Sequence, residues 1–309
     1  METRLLGRTG LRVTAMGLGC GGPSRIGLSA GITENESVAI VRRALDRGVT
    51  IIDTAEGYQT ERFVGEAVAQ HGRDTVVIST KVGTWDLRAE QIAQRCEQSL
   101  RMLRTDHIDV YHLHAVAPLE YERLRESAVP ELLKLREQGK IRFLGITERF
   151  ESDTGHAMLW QALAHDWFDV VMVGYNMLNQ SARGRVFTMT QRKNIGVLNM
   201  FAVRRALSRP EILAETVTIL KKNGQLPQSF SDAGQELEEI AREAGAAGVV
   251  DLAYRFCRQE SGIHVVLVGT GSINHLEENF ASFEKPLLGQ QIVERLRALF
   301  SRVDSVSGS

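Results

Sequence analysis

The sequence is poor in cysteine. Cys20, Cys96 and Cys257 are the only three in 309 residues, and they are scattered without metal-ligand spacing. Reduced thiols, no disulfide framework and no metal are therefore expected. Long hydrophobic runs are missing too. None approaches the ~20 residues that cross a bilayer, so no membrane partner is expected. Neither sign of charge is in excess, with 37 Lys and Arg against 38 Asp and Glu. That balance leaves no electrostatic footprint for nucleic acid or an anionic membrane surface. The N-terminus, Met1-Glu2-Thr3-Arg4, lacks the basic-then-apolar layout of a secretory signal, and a cytoplasmic location is expected. No repeat or low-complexity linker divides residues 1–309, so one domain is expected.

What the chain does have is an alternation. Leu5-Leu6, Gly7-Arg8-Thr9-Gly10 and Leu11-Arg12-Val13 predict a small hairpin. Eight short apolar runs follow: Met16–Gly19, Thr50–Asp53, Val76–Lys81, Ile108–His114, Ile141–Thr147, Asp169–Val173, Gly196–Met200 and Val265–Gly269. Helical stripes lie between them, such as Val38, Ile40, Val41, Ala44 and Leu45, or Ile92, Cys96, Leu100 and Leu103. A third stripe holds Leu124, Leu132, Leu133 and Leu135, with a break or kink expected at Pro130. Nearly continuous apolar strands alternating with helices predict a parallel sheet covered on its outside. Eight of them predict a (β/α)8 TIM barrel with a short N-terminal β-hairpin and extra helices. The competing open sheet has Gly17, Gly19 and Gly22 in G-x-G-x-x-G spacing, but that fingerprint needs a helix at once. Pro23-Ser24-Arg25-Ile26-Gly27 reads as loop instead. Residues 201–230 form a long irregular insertion with a helix near 209–222. A further helix is expected over Ser231–Ala244, and the last residues, Val306–Ser309, should fray.

Chemistry in a parallel barrel sits at the C-terminal ends of the strands. The second predicted strand ends in Asp53 and is followed by Tyr58. The third ends in Lys81, and the fourth in His114. An acid, a phenol, an ammonium and an imidazole thus converge on one rim. Tyrosine, with a reference pKa of about 10, donates a proton usefully only where a cation stabilises its phenolate. Lys81 is the candidate cation, and Asp53 would hold it charged and in place. Tyr58 would then protonate an alkoxide forming from a carbonyl, with a histidine donating to the same oxygen. His112 shares a strand face with His114 by the two-residue period, and the pattern alone does not choose between them.

Taken in order, several segments resemble the aldo-keto reductases over nearly the whole chain. They are Gly10-Leu11-Arg12-Val13, Gly17-Leu18-Gly19-Cys20-Gly21, Asp53-Thr54-Ala55-Glu56-Gly57-Tyr58 and Ser79-Thr80-Lys81-Val82-Gly83. Asp109–His114, Gly139–Gly145 and Leu276-Glu277-Glu278-Asn279 complete the set. The resemblance implies a (β/α)8 barrel that binds a nicotinamide cofactor without a Rossmann domain. It also implies a catalytic tetrad of Asp53, Tyr58, Lys81 and His114, choosing His114 over His112.

Other positions depart from the family's pattern. Its Ser-Asn pair for the nicotinamide carboxamide is Thr147-Glu148 here, and its sixth-strand glutamine is Met172. Thr147 keeps a hydroxyl donor, whereas an ionised Glu148 only accepts. The stacking aromatic has Met200 or Phe201 as its nearest counterpart. Gly19 and the turn Gly269-Thr270-Gly271-Ser272, before a helix at Ile273, are further implied cofactor contacts. Such a turn suits a phosphate at a helix N-terminus. Glu278 and Asn279 match the family's adenine contacts. Two positions that carry Lys and Arg for a 2′-phosphate in NADPH-preferring members are Gly269 and His275 here. NADP or NAD with a shallow preference is therefore expected, unless Arg25 or Lys285 folds over the site. The implied substrate is a small-molecule carbonyl or sugar. Arg204 and Arg205 are candidates to meet an anionic or polyhydroxy group, with plain solvent exposure as the alternative. The altered ring pocket keeps a second function open, a cofactor-binding redox sensor or regulatory module with little or no turnover. The sequence carries no signal of oligomeric state.

Overall fold

The computed structural model describes residues 1–232 and 234–309. Its first two strands, β1 (Thr3–Leu5) and β2 (Arg12–Thr14), pair antiparallel as the predicted hairpin. The eight predicted barrel strands follow as β3 (Met16–Gly19), β4 (Ile51–Asp53), β5 (Val77–Gly83), β6 (Ile108–Val116), β7 (Ile141–Glu148), β8 (Val170–Gly174), β9 (Gly196–Met200) and β10 (Val265–Gly269). They close in chain order, β10 returning to β3, with all ladders parallel. Around them run α1 (Glu34–Asp46), α2 (Glu61–His71), α3 (Ala89–Leu103), α4 (Tyr121–Glu137), α5 (Ala157–Ala162) and α6 (Thr188–Arg192). The second half adds α7 (Arg205–Ser208), α8 (Pro210–Lys222), α9 (Gln235–Glu243), α10 (Val249–Arg258), α11 (Ile273–Glu284) and α12 (Gln290–Leu299). Among the described residues no helix is long and apolar enough to cross a membrane.

Local chemistry explains the boundaries. Thr33 and Glu36 cap α1 reciprocally, Thr33 N–H donating to Glu36 Oε2 at 2.8 Å and Glu36 N–H to Thr33 Oγ1 at 3.3 Å. The predicted apolar stripe of α1 is buried against the barrel. Pro130 does not break its helix, and α4 runs unbroken from Tyr121 to Glu137. Packing of Leu124, Ala128, Val129, Leu132 and Leu135 into the core outweighs the one hydrogen bond the ring forgoes. The extra helix starts at Gln235 rather than Ser231, because Gly234 at φ +69° turns the chain and Ser231 Oγ accepts from Gln235 N–H at 2.7 Å.

The chain end does not fray. Asn179 and Asn176 side-chain amides donate to the carbonyls of Val306 and Ser307 at 3.0 Å each, and Ala206 N–H donates to Gly308 O at 3.0 Å. At the opposite end of the barrel the hairpin is a plug. Leu6, Leu11 and Val13 pack with the inward-facing Ile51, Val77, Val110, Val170, Met172, Leu198 and Val265. Gly7 makes this approach possible, since a Cβ there would lie 2.3 Å from the Gly196 nitrogen.

Candidate active site

Because alternate residues of a strand face the same way, the strands that meet the hairpin at the bottom also build the top. On β4, Asp53 follows Ile51 inward. On β5, Ser79 and Lys81 follow Val77, and on β6, His112 and His114 follow Val110. The ammonium of Lys81, wholly buried, donates to Asp53 Oδ2 at 2.6 Å and to Thr54 O at 2.6 Å. It lies 5.0 Å from the centroid of the Tyr58 ring. The Tyr58 hydroxyl is 3.1 Å from His114 Nε2. The four residues implied by the resemblance therefore come together in one cluster.

Two features that sequence reasoning missed hold this cluster. A Cβ at Gly21 would sit 2.2 Å from the Tyr58 ring, so the glycine lets the phenol lie against bare backbone. Arg25 donates to Tyr58 O from Nε at 3.1 Å and Nη2 at 2.7 Å. At His114 the β6–β7 register shifts between Leu113 and Val116, and the next residue, Ala115, turns to φ +53°. Such an irregularity re-aims a side chain. Thr147 stabilises it, its Oγ1 accepting from Ala115 N–H at 2.6 Å, which leaves its own O–H free to donate.

Burial sets the proton affinities. It raises the Tyr58 phenol; Lys81 works in the opposite direction, while Asp53 adds to the rise. Lys81 favours phenolate as expected, but desolvation wins, because Asp53 already matches much of the ammonium's charge. Burial likewise raises Asp53 against the pull of Lys81. It opposes the charge on Lys81, yet Asp53 and Tyr58 outweigh it and the net shift is upward, so Lys81 keeps the proton. Burial, helped by Lys81 and Arg149, lowers His114 to about 3, so its imidazole is neutral in ordinary buffers.

The other expected residues distribute less evenly. Gly19 and Gly269 sit opposite one another on the β3–β10 ladder. A Cβ on either would meet only atoms at ordinary contact distance, 3.7–3.8 Å away, so neither glycine is required by crowding. Beyond them, Thr270 Oγ1 accepts from Ser272 N–H at 3.1 Å, and Ser272 caps α11 by accepting from His275 N–H at 3.2 Å. Gly271 packs against Gly27. His275 and Glu278 are exposed and Asn279 is buried. Met200 lies half-buried at the top of the interior cluster, whereas Met172 is buried within it. Phe201, at φ +67°, stands edge-on to Phe150 and beneath the Arg204 guanidinium, 4.1 Å from its centroid. Arg204 is also held by Glu151 and Ser309, at 2.8 and 3.1 Å, while Arg205 is exposed. Glu148 is turned into the protein. Its carboxylate, fully buried, lies 2.9 Å from His156 Nδ1 and accepts from Gly174 N–H at 2.8 Å. The two candidate cations for the phosphate end are engaged elsewhere, Arg25 at Tyr58 and Lys285 at Asp251, 2.6 Å away.

Comparison with known proteins agrees with this architecture. The Aldo/keto reductase family matches residues 15–300. The chain belongs to that family, a class of oxidoreductases that use NAD(P). L-galactose dehydrogenase of Arabidopsis thaliana is 26% identical over 331 residues, which cover 99% of this chain and 97% of that one. The holo structure of aldo-keto reductase AKR11C1 from Bacillus halodurans superposes with a TM-score of 0.76 at 23% identity, covering 99% of this chain and 97% of its own. An aldo/keto reductase from Klebsiella pneumoniae, solved with NADP and acetate, gives a TM-score of 0.71 at 24% identity over 98% and 99% of the two chains. At these identities the two structures speak for the shared fold.

Proposed function

We propose that this protein interconverts a carbonyl and an alcohol, with Tyr58 as general acid in reduction and general base in oxidation. The observation that carries the reading is the Tyr58 hydroxyl 3.1 Å from His114 Nε2, beside a buried Lys81–Asp53 pair. The bound nicotinamide supplies or takes the hydride. Tyr58 protonates the substrate oxygen as negative charge develops on it. Neutral His114 donates a hydrogen bond to the same oxygen and fixes its position. Lys81 stabilises the phenolate that remains, and Asp53 keeps Lys81 in place.

A dinucleotide fits the residues present. Gly19 and Gly269, paired at the ends of β3 and β10, would border the dinucleotide, and Thr270, Gly271 and Ser272 at the capped N-terminus of α11 would take phosphate. Thr147 and Met200 would border the ring, and Glu278 and Asn279 the adenine. Glu148 would act from behind, holding the Gly174 backbone rather than touching the carboxamide. NADP in the Klebsiella neighbour supports that cofactor, while Gly269 and His275 support use of NAD as well. The substrate class is an aldehyde, ketone or sugar, and the name of the Arabidopsis relative supports the sugar arm. The working location is the cytoplasm.

Following nicotinamide absorbance over a panel of aldehydes, ketones and aldoses tests this reading with wild type and Tyr58→Phe. Turnover by wild type and its near-complete loss in the variant is expected; full rate in the variant would sink the assignment. The inward turn of Glu148 also favours a second reading, a cofactor-binding sensor. Tight cofactor binding with no turnover on any panel member would select it.

A further inference from the structure

Beneath the tetrad lies a hydrogen-bonded chain that the mechanism above does not use. Lys81 occupies only Oδ2 of Asp53. The other oxygen, Oδ1, accepts the hydroxyl proton of Ser79 at 2.7 Å. On its far side, Ser79 Oγ is 3.0 Å from His112 Nε2. Since the Ser79 proton goes to the carboxylate, its oxygen can only accept from the histidine. That fixes His112 as the Nε2–H tautomer. Burial, with the nearby charge of Lys81 adding to it, lowers this imidazole well below its ordinary range, so it is neutral.

The remaining ring nitrogen, Nδ1, is then a bare acceptor, buried and without a partner among the described residues. The ring lies flat on Gly145, where a Cβ would come within 2.1 Å of Nδ1. A leucine of similar size would fill this interior position without leaving an unsatisfied acceptor, and an unsatisfied buried acceptor lowers stability. What the histidine provides that a leucine cannot is the N–H toward Ser79.

We propose that His112 and Ser79 are positioning residues for the reaction, His112 aiming the Ser79 hydroxyl at Asp53 so that the charge of Lys81 stays available to the Tyr58 phenolate. This rests on the reading of Tyr58 as acid and base. A carboxylate that accepts an O–H bond is less basic. Without that bond Asp53 competes harder for Lys81, and the phenolate loses part of its stabilisation. Lys81, Asp53, His114 and Cys20 face Tyr58, and Lys81 and His114 face His112. Of these, Asp53 is the group to which the Ser79 hydroxyl donates.

The test uses the full chain with NADP and an alcohol substrate, comparing pH–rate profiles of wild type, Ser79→Ala, His112→Leu and His112→Gln. In Ser79→Ala and His112→Leu the acidic limb, where Tyr58 must lose its proton to act as base, should move up by about one pH unit, with kcat for oxidation at neutral pH about tenfold lower. KM for the cofactor should hold within about twofold, because no cofactor contact changes. His112→Gln, whose amide N–H can still reach Ser79, should restore the wild-type profile. His112→Leu should melt no lower than wild type. A His112→Leu profile that overlays wild type would reduce His112 to core filling and overturn the proposal. Two readouts need no turnover. Imidazole 15N shifts of wild type should show His112 protonated at Nε2 alone, and the Nδ1–H tautomer would overturn the proposal. Phenolate absorbance of wild type minus Tyr58→Phe should titrate higher in Ser79→Ala, and an unchanged titration would overturn it too. If wild type turns over nothing, the catalytic reading fails while these two measurements still decide the positioning one.

Discussion

The two ends of the barrel interior are made by the same strands and have opposite character. Ile51 and Asp53 are two residues apart on β4, Val77 and Lys81 four apart on β5, Val110 and His114 four apart on β6. Below, side chains interlock with Leu6, Leu11 and Val13 of the hairpin and exclude water. Above, an ammonium, a carboxylate, a phenol and two imidazoles crowd together. The contrast teaches what the plug is for. A buried ion pair is tolerated only when its geometry is held closely; hydrogen bonds from Ser79 to Asp53 and from Lys81 to Thr54 O hold it, while the packed apolar floor supplies stability.

Several experiments can break or sharpen this contrast. Tyr58→Phe should lower turnover about 10²–10⁴-fold while the melting temperature stays put; a parallel fall in both would show that the two ends are not separable. His156→Leu should cost about 3–5 kcal/mol, because Glu148 is left buried without its partner. Urea unfolding measures this, and Glu148→Gln/His156→Leu together should recover part of the loss. Leu6→Ala should cost about 2–5 kcal/mol by opening the plug, with kcat per folded molecule unchanged. A fall in kcat at full folding would mean that the floor tunes the site.

Smaller effects concern charge. With Gly269 and exposed His275 at the phosphate end, NADP should be preferred over NAD by less than roughly a hundredfold, about 2.7 kcal/mol. A ratio of dissociation constants above that would reveal a cation beyond Arg25 and Lys285. The smallest effect is a slope. His112 and His114 are held neutral, His114 down to about 3. As pH falls below ~6.5 the unfolded chain binds protons that the folded chain refuses. Stability present above that pH is thus lost, by at most about 1.4 kcal/mol per pH unit for each histidine. His112→Leu should remove its share, and an unchanged slope would place His112 in contact with water.

The strands were legible from periodicity, and so was the meeting of Asp53, Lys81 and two histidines on one rim, whereas the resemblance alone preferred His114 to His112. A run that alternates inward residues announces its own face, and Asp53, Lys81 and His114 close such runs. His112 was visible on that same face, but its partner Ser79 was not singled out, although the two-residue step back from Lys81 would have pointed to it. Glu148 was misleading in another way. Its position suggested a cofactor contact, and only the distant His156 and the Gly174 amide show which way the carboxylate turns. Arg25 and Lys285 illustrate the same limit, since the partner of a long cationic side chain depends on loop paths that no local pattern records. Pro130 and the chain end were judged by local rules, and tertiary packing overrode both.

The anchored end of the chain has a practical consequence. Carbonyls of Val306, Ser307 and Gly308 are tied to the loops after β8 and β9, and Ser309 Oγ meets Arg204 and Glu151. A Cβ at Gly22, next to the Gly21 that carries the Tyr58 ring, would be 3.7 Å from an Arg204 nitrogen. Any peptide appended after Ser309 therefore starts its path beside Arg204 and the turn that carries Gly21 and Gly22. Purification handles belong before Met1, on the hairpin side of the barrel and away from Tyr58.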